Sequence, residues 1–519
     1  MRSEILSRQL LAELVLRGER KPPSRTEMSR RQRQALSRLV STLGRLPAGS
    51  HRGLDRLAGR PDLEARFRAE VAPTTYADVA PLIDRVARGE RDVMFPGRAV
   101  ALAQTSGTTA EATAGEKLIP QSFDLLRHHT RGGLTALVRA ILAGGPSMLA
   151  GKILMIGGST DLTPNEAGIP VGDLSGICSA HVPRAFERHY EPGRTVALER
   201  NWQTKIARMV ARCGPRDIRL VAGLPSWALV LFSAVCARRN VGRVCEAWPH
   251  LSAMLYGGHA IEPFLPGLAA HLHPETLMLE VYAASEAFLA IGAQAWPLGD
   301  GRPAPLEVLV GSGTYVEFLP EGGSPEDAVG PENLEPGALY IPLVTTPGGL
   351  VRFDVGDRLL GAGSGRVWFA GRRNTQLSVF GEHVEGWALA SALGHACQLT
   401  LARVNAYHVA PGLPTPDEPR GFHEWWVEFS QAPRSEQDFA TALDAYLLGQ
   451  VQDYAAHRAH DAQLMPPRVV NVPAGTFARY LERRGQLGGQ HKVPESWKDR
   501  SIAEELAQCS LETPRRATA

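Results

Sequence analysis

Lysine is scarce: six stand among the 56 basic residues of this 519-residue chain, namely Lys21, Lys117, Lys152, Lys205, Lys492 and Lys498. Arginine fills nearly every other basic position, so a surviving lysine marks a place where a compact ammonium is wanted rather than a planar fork. Lys117 and Lys492 stand out because each lies close to glycine. Excess charge is also lacking. A formal net charge of +2 excludes a field strong enough to make nucleic acid or an anionic membrane the main partner. The six cysteines (Cys178, Cys213, Cys236, Cys245, Cys397, Cys509) have no paired close spacing, which excludes a disulfide framework and a zinc site and fits a reducing, cytoplasmic setting. Glu4, Arg8 and Glu13 interrupt the N-terminus, so no secretory signal is expected. The long uncharged run Leu220–Ala237 is divided by Gly223-Leu224-Pro225-Ser226 into a strand and a helix rather than a membrane span. The string His423-Glu424-Trp425-Trp426-Val427 begins like a zinc-protease helix, but position 427 is Val, and a strand or core position is expected.

What is present is ordinary globular chain, 44% hydrophobic and 21% charged, and too long for one core. Up to about residue 90 the spacing predicts helices, at Ile5–Leu16 and Leu36–Leu46. The Arg-rich stretches there read as solvated faces. From Met94 short apolar runs alternate with helices: strands at Ala99–Ala103, Ile153–Gly158, Leu220–Gly223, Ala253–Gly258 and Thr276–Ala283, helices at Phe123–Leu142, Ala197–Arg212 and Trp227–Arg238. That alternation predicts an α/β sheet with functional loops at the strand ends. After Asp300 the chain turns strand-rich and predicts an antiparallel subdomain or barrel. A boundary is expected near residues 371 and 372, dividing a large domain (1–371) from a small α+β domain (372–519). The small domain carries a helix at Val384–Ala396, strands at Leu401–Val409, Glu424–Phe429 and Arg468–Val472, and one long helix at Ser435–His460. His128 and His129 are expected on a helix face, His271 and His273 in loops.

Five short segments carry chemistry. Gln104-Thr105-Ser106-Gly107-Thr108-Thr109 follows a strand, and hydroxyls around a glycine let N–H and O–H donors converge on one anion. It is no Walker A loop, because no Gly-Lys-Ser/Thr ends it, but Lys117 closes the same loop. Tyr282-Ala283-Ala284-Ser285-Glu286 ends a strand and offers a ring for a base, a hydroxyl for a phosphate and a carboxylate for Mg²⁺. Val351–Asp357 sets carboxylates around a glycine turn, suited to ribose hydroxyls. Gly371-Arg372 and Gly488-Gly489-Gln490-His491-Lys492 complete the set. Taken singly, each is equally a turn, a cap or an exposed connector.

In this order, the segments resemble the GH3 family of acyl-acid amido synthetases, within the acyl-adenylate-forming superfamily. The resemblance runs from about Phe67 to Arg500 and includes His423-Glu424-Trp425 and Gly488–Pro494, strings shared with bacterial members. It implies the adenylate-forming fold, with a mobile C-terminal domain, and an ATP-dependent, AMP-forming ligase. In that reading Thr105, Ser106, Gly107, Thr108, Thr109 and Lys117 grip the ATP phosphates. Gly257 and Gly258 allow close approach to the nucleotide. Tyr282 flanks adenine, Ser285 nears the α-phosphate, Glu286 holds Mg²⁺ and Asp357 binds the ribose. Arg372 sits at a hinge about which the small domain turns, and Lys492 meets the α-phosphate during adenylation. The implied partners are a carboxylic acid and an amine, typically an amino acid. The superfamily also supports transfer to coenzyme A or a carrier thiol, and a non-catalytic nucleotide-binding protein is a third reading.

Three departures from the family pattern stand in the sequence. Ala110–Glu116 lengthens the segment between Thr109 and Lys117. Gly381-Glu382-His383 places an imidazole where many members carry lysine. The first sixty-odd residues match poorly and receive no function.

Overall fold

The computed structural model describes every residue except 1–21, 106–116, 158–161, 183, 259, 374–375, 380–381, 414–419, 460–463, 488–491 and 513–519, and omits the side chains of 105, 184 and 185. The helix expected at Ile5–Leu16 therefore lies outside the described residues. The chain divides into two compact units.

The first unit takes in Met1–Gly223, Ala247–Gly258 and His273–Phe369. It opens with helix α1 (Arg25–Leu43), capped by Ser24, whose side chain accepts the Glu27 amide. Met28, Gln32, Ala35, Leu36, Leu39, Val40 and Leu43 fall on one face and are buried, so the arginines between them face outward. Helix α2 (Tyr76–Ala87) starts on a reciprocal Thr75–Asp78 capping box. Strands β1 (Ala101–Thr105) and β2 (Lys117–Gln121) form an antiparallel hairpin, followed by helix α3 (Phe123–Gly144).

The large sheet is built from β3 (Lys152–Ile156), β4 (Ile218–Gly223), β5 (Ala253–Tyr256), β6 (Leu277–Ala283), β7 (Phe288–Gly292), β8 (Leu306–Val308), β9 (Tyr315–Pro320), β10 (Leu339–Thr345), β11 (Asp357–Gly363) and β12 (Arg366–Arg372). Their spatial order is β9-β10-β11-β12-β8-β7-β6-β5-β4-β3, ending on the short strand Tyr190–Glu191. Strands β3 to β6 are parallel, as the strand–helix alternation predicts. At β6–β7 pairing turns antiparallel. The strand-rich stretch after Asp300 therefore extends the same sheet instead of closing a separate barrel. Apolar side chains of the β1–β2 hairpin, β7 and the strands after Asp300, among them Leu102, Ile119, Leu289, Leu306, Val316, Val344 and Val367, share one core.

The second unit comprises Ala370–Ala519 together with Leu224–Glu246 and His259–Leu272. The two early segments carry helices α4 (Pro225–Arg239) and α5 (Leu265–His271), both of which pack on strand β13 (Arg403–Gly412). This differs from a division at 371/372. Periodicity marks α4 as buried without saying against what. Helix α6 (Gly386–Thr400) crosses α5, and the close approach of Gly394 to Glu262 leaves no room for a Cβ. Strand β13 pairs antiparallel with β14 (Phe422–Gln431), and β14 pairs parallel with β15 (Arg468–Asn471). The single helix expected at Ser435–His460 is two, Glu436–Gln450 and Gln452–Arg458, because Val451 between them is extended at φ −121°. His271 ends α5 rather than lying in a loop. Among the described residues no helix is long and apolar enough to cross a membrane, and all six cysteines are free.

Candidate active site

The hairpin register sets Thr105 opposite Lys117. The first two residues of the hydroxyl-rich segment, Gln104 and Thr105, thus end β1, and Lys117 begins β2. Ser106, Gly107, Thr108, Thr109 and the Ala110–Glu116 stretch lie outside the described residues. Lys117 is placed by Tyr76 at the start of α2: its ammonium lies 5.0 Å from the ring centroid, and the Tyr76 hydroxyl accepts the Leu118 amide at 3.0 Å. At the opposite end of β2, where Gln121 pairs with Ala101, the Gln121 side-chain amide donates to the Ser285 carbonyl at 3.0 Å. That bond ties the hairpin to the turn between β6 and β7.

The turn is where the sheet changes from parallel to antiparallel. It is closed by the Ala284 amide on the Ala287 carbonyl at 2.9 Å and carries Ser285 and Glu286, both half-buried. The turn lies at the carboxyl end of β6, the side on which open α/β sheets bind ligands. Behind the turn two buried histidines of α3 sit with ring centroids 5.7 Å apart. The Phe288 amide donates to His128 Nε2 at 2.9 Å. Burial pushes His128 down to about 4 and His129 to about 3, so both imidazoles are neutral and add no cation beside Glu286. They do lie on a helix, on its buried face.

Tyr282 leaves the end of β6 with its ring edge-on to Phe369, 5.6 Å between centroids. Its hydroxyl donates to the carboxylate of Asp357, itself buried at the start of β11. Residues 75 apart in sequence are thereby joined. Gly257 follows β5, and a Cβ there would stand 2.2 Å from the Val281 carbonyl oxygen. Gly258 is left-handed at φ +78°. Gly257→Ala is therefore expected to displace β6 just before Tyr282, costing about 1–3 kcal/mol of stability. Thermal unfolding together with the ATP KM checks this, and a variant identical to the parent in both would refute it.

Arg352 lies inside the Val351–Asp357 segment, where only the carboxylates pointed to a role. The structure finds its guanidinium fully buried, with Nε donating to Glu317 at 3.0 Å, Nη1 to the Arg68 and Val71 carbonyls at 2.9 and 2.6 Å, and Nη2 to the Pro325 carbonyl at 2.6 Å. Its own carbonyl accepts the Thr74 amide, and the Thr74 carbonyl accepts Asp354, so this network fixes the chain entering the Asp354–Asp357 turn. Tyr76 and Phe369 were also missed. A single aromatic at a helix start or on a strand reads as core.

In the second unit Arg372 closes β12, half-buried, after a left-handed Gly371 at φ +114°. Lys492 is half-buried beside the undescribed Gly488–His491. Glu382 and His423 are both buried and bonded, carboxylate to Nε2, at 2.9 Å, and Glu382 also accepts the Val379 amide at 2.7 Å. His423 is thus a strand and core residue, as expected. The turn is held by Glu382, while His383 beside it is exposed at φ +43°. Among the described residues no group of three or more His, Cys, Asp or Glu side chains is placed to hold a metal ion.

Three family models match the chain: the GH3 N-terminal domain at residues 26–205, the central domain at 307–364 and the C-terminal domain at 388–501. The first begins on α1, so the poorly matching N-terminal segment is part of the family fold from residue 26. The chain is 24% identical to the indole-3-acetic acid-amido synthetase GH3.8 of Oryza sativa subsp. indica over 85% of its length and 84% of the relative's. It is likewise 24% identical to the 4-substituted benzoates-glutamate ligase GH3.12 of Arabidopsis thaliana, over 60% of this chain and 56% of that one. Its fold superposes on the AtGH3.15 acyl acid amido synthetase in complex with 2,4-DB with a TM-score of 0.75, at 16% identity, covering 97% of this chain and 96% of that one. It superposes on a 2-hydroxyisobutyryl-CoA ligase with a TM-score of 0.56, at 12% identity and 94% and 92% coverage. The fold is that of the adenylate-forming ligases, and the chain belongs to the GH3 family of acyl-acid amido synthetases, ATP-dependent ligases that form an amide by way of an acyl-adenylate.

Proposed function

We propose that this chain activates a carboxylic acid as its acyl-adenylate at the β6–β7 turn and passes the acyl group to the amine of an amino acid. The observation that carries the assignment of the site is the Tyr282–Asp357 bond beside the Ser285–Glu286 turn, with the Thr105–Lys117 hairpin tied to that turn through Gln121. An aromatic ring and a buried carboxylate meet there, and the hairpin whose strands flank the donor-rich segment is tied to the same turn. These are the groups needed for a base, a ribose and a polyphosphate.

A carboxylate is a poor electrophile. It attacks the α-phosphorus of ATP, a bond to phosphorus forms, and pyrophosphate leaves with its electron pair. Negative charge on the phosphate oxygens is met by the loop Thr105–Thr109, by Lys117 and by Lys492. Ser285 approaches the α-phosphate, Asp357 accepts the ribose hydroxyls, Gly257 and Gly258 let the backbone close on the nucleotide, and Arg372 contacts it from the hinge. Glu286 is a hard oxygen donor, and one carboxylate suffices for a Mg²⁺ ion that fills its shell with waters and phosphate oxygens. When bound, such an ion neutralises charge on those oxygens. The adenylate is then open to an amine, and AMP departs.

The test is pyrophosphate release across a panel of carboxylic acids, repeated with each amino acid and with coenzyme A. Acid-dependent release and an amide product support the reading. Release with transfer only to a thiol would move the chain to the CoA-ligase class, and ATP binding without release for any acid would make it a binding protein. Tyr282→Phe adds a residue-level check. Loss of a hydrogen bond to a charged group is worth about 1.5–3 kcal/mol, so the ATP KM is expected to rise on the order of tenfold. An unchanged KM would show that the hydroxyl does not organise Asp357.

A further inference from the structure

The chain that follows Lys492 does not run free. It lies along β13, where Val409 and Ser496 form a parallel bridge and the Val409 amide donates to the Glu495 carbonyl at 2.8 Å. One residue earlier along both chains, His408 Nδ1 donates to the Pro494 carbonyl at 2.7 Å. His408 is fully buried, and burial lowers it to about 4, so the ring is neutral. The carbonyl partner fixes the tautomer with its proton on Nδ1. Val493 and Ser496 are buried on either side of this contact.

A second grip lies at the far end of the same segment. Arg500 donates through Nη1 to the Pro411 carbonyl at 2.9 Å and through Nη2 to Glu424 Oε2 at 2.7 Å. The same carboxylate oxygen accepts Trp426 Nε1 at 2.8 Å. Trp426 is the cross-strand partner of His408, and Glu424 that of Ala410. The two grips therefore belong to one patch of the β13–β14 pair. This gives the His423-Glu424-Trp425 string a use: its glutamate anchors the segment that begins with Lys492.

We infer that His408 and Glu424 are positioning residues for Lys492, clamping the Val493–Arg500 segment so that the ammonium two residues before Pro494 is held for the adenylation half-reaction. The inference rests on the reading of Lys492 as the adenylation lysine. Neither residue touches substrate. Their removal lets the lysine wander, and displacements on the order of 1 Å cost up to about a hundredfold in rate.

The experiment separates the half-reactions of the full-length protein. His408→Phe, which keeps the ring but loses the donor, is expected to slow acid-dependent ATP–pyrophosphate exchange roughly tenfold to a hundredfold in kcat, leaving the ATP KM within about twofold. Aminolysis of chemically prepared acyl-adenylate by the same variant stays at the parent rate. His408→Asn, whose amide N–H can stand in for Nδ1–H, recovers most of the exchange. Glu424→Gln keeps an acceptor for Trp426 but removes the charge opposite Arg500, and shows a smaller loss confined to the same half-reaction. It serves as the probe should His408→Phe fail to fold. Exchange at the parent rate in a folded variant, equal losses in both half-reactions, or no recovery with asparagine would overturn the inference. If Lys492→Ala itself exchanges at the parent rate, the failure lies in the lysine assignment and not in the clamp.

Discussion

Replacing Lys492 by alanine is expected to slow acyl-adenylate formation by roughly 10²–10³, the loss seen when one preorganised stabiliser of developing charge is removed. In a chain that uses arginine almost everywhere, a lysine set beside Gly488–His491 keeps a compact ammonium. Its downstream neighbours are fixed on β13 through Pro494 and Glu495. Single-turnover measurement of adenylate formation reads the effect directly. Aminolysis of preformed adenylate should change far less, since its bond changes are at the acyl carbon and the charge that develops at phosphorus while pyrophosphate is displaced has already passed. Lys492→Arg should recover little, because a planar fork cannot occupy the place of a point charge. Adenylation by Lys492→Ala at the parent rate would remove Lys492 from the mechanism.

Arg352→Met should produce the largest loss of stability, about 3–5 kcal/mol, the usual cost of leaving a buried ion pair without one partner. Glu317 is wholly buried between Arg352 and Arg68, whose Nε reaches it at 3.1 Å while Nη2 meets the Tyr315 hydroxyl at 3.2 Å. Burial raises the Glu317 carboxyl above its ordinary range, opposed by both guanidinium groups. Removing Arg352 takes away one of them. It also orphans the carbonyls of Arg68, Val71 and Pro325. Thermal unfolding should fall by on the order of 10 °C, and the ATP KM should rise because the same network leads into the Asp354–Asp357 turn. Arg352 holds φ +44°, an uncommon conformation for a side chain of this size. Arg352→Lys keeps the charge but not the fork and should recover only part of the loss. A methionine variant that unfolds with the parent would refute this account of the network.

Local pattern carried much of the fold. Strands β3 to β6 and helix α3 lie within a few residues of their expected positions, because apolar runs bounded by glycine or by capping residues leave few alternatives. Long-range pairing was not legible. Nothing in Tyr282 or Asp357 announces that they bond across 75 residues. Nor does the uncharged run in α4 say that it packs on β13, nearly 170 residues on. Helix α1 was expected only from Leu36 on and starts eleven residues earlier, because the exposed arginines of its first half resemble any solvated face, although its buried side packs in a core with Phe67, Tyr315 and Val351. The candidate motifs were legible in sequence order, but the residues packed around them were not. Tyr76, Phe369, Arg352 and His408 act through geometry, and each residue type is common in cores.

The central claim is that the acid is activated at the α-phosphorus of ATP, and isotope transfer reads this most directly. A carboxylic acid that supports pyrophosphate release is labelled with ¹⁸O in its carboxylate and turned over with ATP and the accepting amino acid, and the AMP is analysed by mass. One labelled oxygen in AMP is the predicted result, since the carboxylate oxygen that attacked phosphorus leaves with it when the amide forms. Label in inorganic phosphate accompanied by ADP, or none in AMP, would contradict an acyl-adenylate.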